Sequence, residues 1–335
     1  MMRLHENPEL FSDAVIAASQ YFKIPEIFIE KDYWVTVALE AIFKSDISDE
    51  AVFKGGTALS KCHRLIERFS EDIDIVILQH IKETDNNLKA KIKKISKIVE
   101  TVMPEVNTPG ITNKLGQIRK TVHSYPKKKF QGSFGHVKDE IILEVTWLGS
   151  FEPFEVKAVN SYIAELIEKT GQFDLIEQYG LQSFNVKVLT KERTLCEKIM
   201  SLVRFSRMDD PYKHLTEKIR HVYDIHILLK DPSVYNFFLT LEFDNLLNQV
   251  GKDDIKSFKN NNTWLKDHPI KAVIFADPQD TWERMSGKYQ TSFRDLVTGV
   301  FPEQQELITT LKSVSVRLKK IDWLITPEIL YRSQR

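Results

Sequence analysis

Residues 68–77 read RFSEDIDIVI: two aspartates, Asp72 and Asp74, separated by one isoleucine and running into a β-branched apolar tail. Such a tail predicts a strand. Side chains alternate across a strand, so Asp72 and Asp74 would project to one face while Ile73 and Ile75 point to the other. Two neighbouring carboxylates repel, and one of them holds a proton unless a cation sits between them. A divalent metal removes that conflict, and hard oxygen donors favour Mg²⁺ or Mn²⁺ over zinc. The competing explanation is a strand end with two solvated aspartates paired to Arg64 or Arg68.

Upstream, AVFKGGTALSKCHRLIERF reads as a short strand, a glycine turn, then a helix with Leu59, Cys62, Leu65 and Ile66 inward. Glycines at that turn, Gly55 and Gly56, let backbone amides approach a phosphate at the positive end of the helix, with the Thr57 hydroxyl beside them. A glycine pair also suits a plain turn. Ser70 shares the face of Asp72 if the strand extends that far, as a phosphate ligand, a modification site or a capping serine. Downstream, LGQIRKTVHSY and KDEIILEVTWLG predict two strands of a hairpin joined around Pro126 and Gly132. Glu144 interrupts the second, where an unpartnered carboxylate is costly to bury. It shares parity with Ile142 and Thr146, so it completes a three-carboxylate cluster if this strand pairs beside IDIVI. On an edge strand it would simply face solvent.

The wider chain sets the frame. Its 335 residues favour two domains, and 42% apolar against 28% charged residues describes an ordinary globular protein. Forty-seven basic and 47 acidic residues cancel, so affinity for nucleic acid would have to come from a local patch. One exists on paper: Lys82 to Lys138 holds 13 Lys and Arg against four Asp and Glu, including LKAKIKKISKIV, with Leu88, Ile92, Ile95 and Val99 at helical spacing, and SYPKKKFQGSFG, with Lys127, Lys128 and Lys129. A solvated helix face and an exposed hairpin explain both segments as well as a phosphate-backbone contact does. Cys62 and Cys196 are the only cysteines, which excludes a disulfide framework and suits a reducing cytoplasm. The N-terminal residues lack the apolar core of a signal peptide, and no run of 18 apolar residues predicts a membrane span. PEIFIEKDYWVTVALEAIFK places Ile29, Tyr33, Val37 and Ala41 on one core-facing stripe. From about residue 156 the pattern turns mostly helical, with FNVKVL as one strand. The expected division is therefore 1–155 and 156–335, with a soft boundary between 155 and 190.

FKGGTALSKCHRLIERFSEDIDIVI resembles the first motif of the AbiEii/AbiGii-type nucleotidyltransferase toxins, a branch of the DNA polymerase beta-like superfamily. IEKDYWV is similar to that family's N-terminal helix, LTKERTLCEKIMSLV to its lysine-bearing helix and RHVYDIHILL to its C-terminal motif. Fifteen residues separate Gly56 from Asp72, somewhat more than in the superfamily's usual form. The resemblance implies an α+β fold: a nucleotidyltransferase-like mixed sheet flanked by helices, then a mostly helical C-terminal domain. It implies transfer of a nucleoside monophosphate from a nucleoside triphosphate, with Asp72, Asp74 and Glu144 on Mg²⁺ or Mn²⁺ and Gly55, Gly56 and Thr57 on the triphosphate. It further implies Lys198 on the β- and γ-phosphates and Asp224 orienting Lys198 or the nucleotide. An RNA acceptor, tRNA in particular, and a cognate antitoxin come with it. From the residues alone, Lys198 could snorkel to water and Asp224 could pair with Arg220 along its helix. A non-catalytic nucleic-acid-binding or immunity protein and a metal-dependent nuclease are the other readings of the same carboxylates.

Overall fold

In a computed structural model, residues 2–128, 140–258 and 261–326 are described. The chain divides into two compact units. The first takes in Met1–Arg64, Phe69–Trp147 and Phe154–Val188, and the second Leu65–Arg68, Leu148–Pro153 and Leu189–Arg335.

The first unit is built on a mixed sheet of β1 (Ala51–Lys54), β2 (Ile73–Ile77), β3 (Glu105–Val106), β4 (Ile118–His123), β5 (Ile141–Thr146), β6 (Phe154–Val159) and β7 (Phe184–Leu189), in the order β3-β4-β5-β2-β1-β7-β6. Its helices are α1 (Pro8–Phe22), α2 (Glu26–Phe43), α3 (Gly55–Lys61), α4 (Asp85–Glu100), α5 (Tyr162–Lys169) and α6 (Phe173–Tyr179). The two central strands explain the architecture. On β2, Ile73, Ile75 and Ile77 are buried on one face, and on β5 Ile141, Leu143 and Val145 do the same. These six join Ile29, Leu39 and Ile42 of α2 and Leu88, Ile92, Ile95 and Val99 of α4 in one core cluster. The 3.6-residue period of α4 and the two-residue period of the strands thus meet on the same side of the sheet. Thr84 starts α4 by accepting the Asn87 amide, and Asn7 does so for the Leu10 amide at α1.

Two expectations need correction here. The helix after the glycine turn ends at Lys61, because Arg64 adopts a positive φ of 51° that an α-helix cannot continue through. Cys62 and Ile66 are buried all the same, outside any helix. FNVKVL is also not alone beyond residue 155: Phe154–Val159 forms the edge strand β6, whose alternation is weak because most of its side chains stay partly exposed. The hairpin is present as the antiparallel pair β4/β5. Of its connection, residues 129–139, with Lys129 and Gly132, lie outside the described residues.

The second unit is helical: α7 (Lys191–Phe205), α8 (Pro211–Thr216), α9 (Ile219–Lys230), α10 (Pro232–Phe238), α11 (Leu241–Ser257), α12 (Val273–Ala276), α13 (Pro278–Met285) and α14 (Gln304–Leu318). Thr190 caps α7 through the Arg193 amide, and α7 packs against α9 and α11 with Leu195, Ile199, Leu202 and Val203 buried. Among the described residues no helix is long and apolar enough to cross a membrane.

Leu143 is fully buried at the centre of the first unit, directly opposite Ile73. Leu143→Ala is expected to lower the unfolding free energy by about 2–4 kcal/mol. Urea titration followed by circular dichroism checks this, with a lower midpoint at an unchanged slope.

Candidate active site

Strands β2 and β5 run parallel with Asp74 directly opposite Glu144. Strand β1 lies antiparallel on the other side of β2 with Lys54 opposite Asp74, and β4 lies antiparallel to β5 with Lys120 opposite Glu144. Partners in register share a face. A row Lys54, Asp74, Glu144, Lys120 therefore crosses four strands, on the face opposite the α2/α4 core. The Lys120 ammonium is 3.3 Å from Glu144 Oε2. Asp72 immediately precedes β2, with the parity of Asp74.

Like charges on neighbouring strands repel, and the effect is visible at Asp74. Burial, Glu144 and Asp72, in that order, push its pKa up to about 7, against weaker opposition from Lys54 and Lys120. The glycine turn sits against this same carboxylate. Gly55 has φ of +83°, and a Cβ there would collide with Asp74 Oδ2, so both conformation and space demand glycine. Thr57 is buried and its hydroxyl donates to the Asp72 carbonyl at 2.6 Å, with Ser70 Oγ 3.0 Å away. Thr57 and Ser70 thereby tie α3 to the backbone that presents Asp72. The Thr57 hydroxyl is committed inside the protein instead of projecting toward a phosphate.

Oxygen donors and mutual repulsion suit Asp72, Asp74 and Glu144 to a hard divalent cation. Among the described residues no group of three His, Cys, Asp or Glu side chains forms a preassembled metal cage. The fit therefore rests on charge and donor type.

In the second unit Asp224 is fully buried and accepts from Arg68 Nε at 2.7 Å and Arg68 Nη2 at 2.8 Å, while the Lys198 ammonium lies 2.7 Å from its Oδ2. Burial alone would raise the Asp224 pKa, but Arg68 and Lys198 outweigh it and hold the carboxyl well below its usual range. Lys198 is itself buried, which overturns the snorkelling alternative, and His221 Nδ1 stands 3.5 Å from its ammonium. The His221 ring is kept neutral by burial and by Lys198. Arg68, offered by the sequence as an alternative partner for Asp72 or Asp74, is engaged by Asp224. Its partner Asp224 is 156 residues away, and Arg64 pairs with Glu165 at 3.0 Å. Lys31 was also missed as a site-neighbouring residue, although three consecutive charges, Glu30-Lys31-Asp32, inside an otherwise apolar helix were a usable sign of buried pairing.

Part of the basic surplus is answered by nearby acids. Lys91 pairs with Glu50 and Glu83, Lys94 with Asp46, Lys97 with Glu100 and Lys114 with Glu105. Lys82, Lys89 and Lys93 are exposed.

The family model described as "Nucleotidyl transferase AbiEii toxin, Type IV TA system" matches residues 37–321, and the chain belongs to that family. No curated protein matches it in sequence. Among solved structures it is similar to MenT4, a nucleotidyltransferase toxin of Mycobacterium tuberculosis H37Rv, at 14% identity and a TM-score of 0.43, over 96% of this chain and 99% of that one.

A carboxyl whose pKa is raised on folding binds its proton more tightly in the folded chain, so its contribution to stability falls as pH climbs from about 4 through about 7 and is flat above. Asp74→Asn removes that penalty. Its Tm is expected to match the wild type near pH 4 and to exceed it by about 2–5 °C near pH 8, by calorimetry without divalent metal. Equal Tm values at both pH values would show that Asp74 is not under like-charge pressure.

Proposed function

We propose that this chain transfers a nucleoside monophosphate from a nucleoside triphosphate to a hydroxyl of an RNA acceptor, a tRNA end in the first instance. The observation that carries the proposal is Asp74 facing Glu144 on paired strands while the Gly55 backbone is held against the Asp74 carboxylate. An acid row and a glycine turn at a helix start, side by side, suit a bound triphosphate and its counter-ion. A nuclease has no need of such a cradle.

In the reaction the acceptor oxygen bonds to the α-phosphorus as the bond from that phosphorus to the β-phosphate's bridging oxygen breaks, and pyrophosphate leaves in line. Gly55 and Gly56 bind the departing tail through backbone amides. Thr57 and Ser70 hold Asp72 in place from beneath through the contacts described above. Asp72, Asp74 and Glu144 would hold Mg²⁺ or Mn²⁺, which when bound supplies charge neutralisation and a lowered pKa for the attacking hydroxyl. Lys198, as a cation for the β- and γ-phosphates, and Asp224, as the group that holds it, are assigned on the family resemblance. Catalysis on this account is positioning and electrostatics, with no covalent intermediate on the protein.

For the acceptor, the support is the family together with the exposed lysines of α4. Family membership also implies a cognate antitoxin. We place the reaction in the cytoplasm, in keeping with two buried cysteines that form no disulfide.

The test is incubation of the chain with total RNA, Mg²⁺ and each labelled nucleoside triphosphate in turn. Labelled RNA is expected with at least one of them, and Asp72→Asn and Asp74→Asn should each reduce labelling by at least about 100-fold. Labelling that survives both substitutions would refute the carboxylate mechanism, and RNA shortened without any added nucleotide would favour a nuclease.

A further inference from the structure

Lys31 is almost fully buried in the second turn of α2, and so is its partner Glu71. The Lys31 ammonium is ion-paired with Glu71 Oε2 and donates to the Glu140 carbonyl at 3.0 Å. Both partners have a particular place in the chain. Glu71 immediately precedes Asp72, and Glu140 immediately precedes β5, the strand of Glu144. Because β2 and β5 run parallel, these two positions lie at the same end of the strand pair. One ammonium thus bridges the starts of both acid-bearing strands.

The next residue of α2 reaches the remaining element. Asp32 Oδ1 accepts from Lys61 at 2.5 Å, Lys61 being the last residue of the helix that opens with Gly55 and Gly56. Asp32 Oδ2 accepts from the Tyr162 amide at 2.9 Å at the start of α5. Two consecutive side chains therefore connect one rigid helix to the Asp72 segment, the Glu144 strand and the glycine-turn helix.

We propose that Lys31 is a positioning residue for the transfer reaction: with Glu71 and the Glu140 carbonyl it clips the β2/β5 pair in the register that sets Asp72 and Asp74 against Glu144. Two strands bearing facing carboxylates are pushed apart where the charges meet. Apolar burial along Ile73, Ile75, Leu143 and Val145 excludes a slip of one residue, which would turn that face outward, but a slip of two residues keeps those side chains inward while moving Asp74 off Glu144. A charged, hydrogen-bonded clip supplies direction at a desolvation cost that apolar packing would avoid, which is a cost more readily explained by geometry than by stability. Burial lowers the Lys31 pKa while Glu71 opposes that, consistent with an ammonium retained for its partner. The inference rests on the carboxylate mechanism proposed above only for its catalytic consequence.

The test variant is Lys31→Met with Glu71→Leu, which replaces the buried pair by apolar groups of similar size and so keeps the fold. Two readouts are taken. Amide hydrogen exchange at residues 72–74 and 141–144 is expected to speed up by about 10-fold or more while Tm stays within a few degrees of wild type. The kcat for nucleotide transfer is expected to fall by about 10- to 100-fold, with KM for the nucleotide changing by less than about threefold. Unchanged exchange would overturn the clip, and so would faster exchange accompanied by wild-type kcat. If wild type itself transfers no nucleotide, the proposed reaction has failed, and the exchange data alone decide whether Lys31 sets the strand register.

Discussion

Two carboxylates facing each other across a parallel strand pair constrain everything around them. Asp74 and Glu144 sit in register on β2 and β5, and their repulsion must be met either by a proton or by a cation. The surroundings are arranged about that conflict. Lys54 and Lys120 bracket the row on the flanking strands, and both ease the charge at Asp74. The glycine turn leaves the Asp74 carboxylate room that any side chain at Gly55 would fill. Thr57 holds the backbone of Asp72 by its carbonyl. Facing carboxylates in register cost stability that an apolar pair at the same positions would not.

Much of this was legible in the sequence because it obeys a local period. The alternation in IDIVI located the face of Asp74, and the single acid in IILEV located Glu144, since strand parity is fixed by the backbone. Pairing of those two strands was a condition the sequence left open, and the sheet order meets it. The glycine turn was likewise readable, because a β-strand ending in Lys54 and a helix beginning at Gly55 need a residue tolerant of positive φ. What could not be read was long-range. Arg68 finds Asp224 and Lys31 finds Glu71 through tertiary packing, 156 and 40 residues apart, and no spacing rule encodes either pair. The helix after the glycine turn was overextended because Leu59, Cys62, Leu65 and Ile66 keep a helical spacing by coincidence of burial while Arg64 breaks the backbone. Strand β6 escaped notice for the opposite reason: its alternation is blurred at a sheet edge.

Charge shows the same contrast between composition and placement. Lys82 to Lys138 carries nine more bases than acids, 13 against four. Acids from outside that span, Asp46 and Glu50, and from inside it, Glu83, Glu100 and Glu105, engage four of those lysines. Exposed ion pairs of this sort add little stability and weaken with salt. Lys89 and Lys93 on α4, and Lys82 just before it, are exposed.

The central claim, that Asp74 and Glu144 press on one another as like charges, is tested most directly by titrating the Asp74 carboxyl carbon by NMR, with and without Mg²⁺. The account predicts a midpoint of about 7 without metal and a fall of at least about two pH units when Mg²⁺ is present. A midpoint near the ordinary aspartate value of about 3.9 that Mg²⁺ does not move would contradict it.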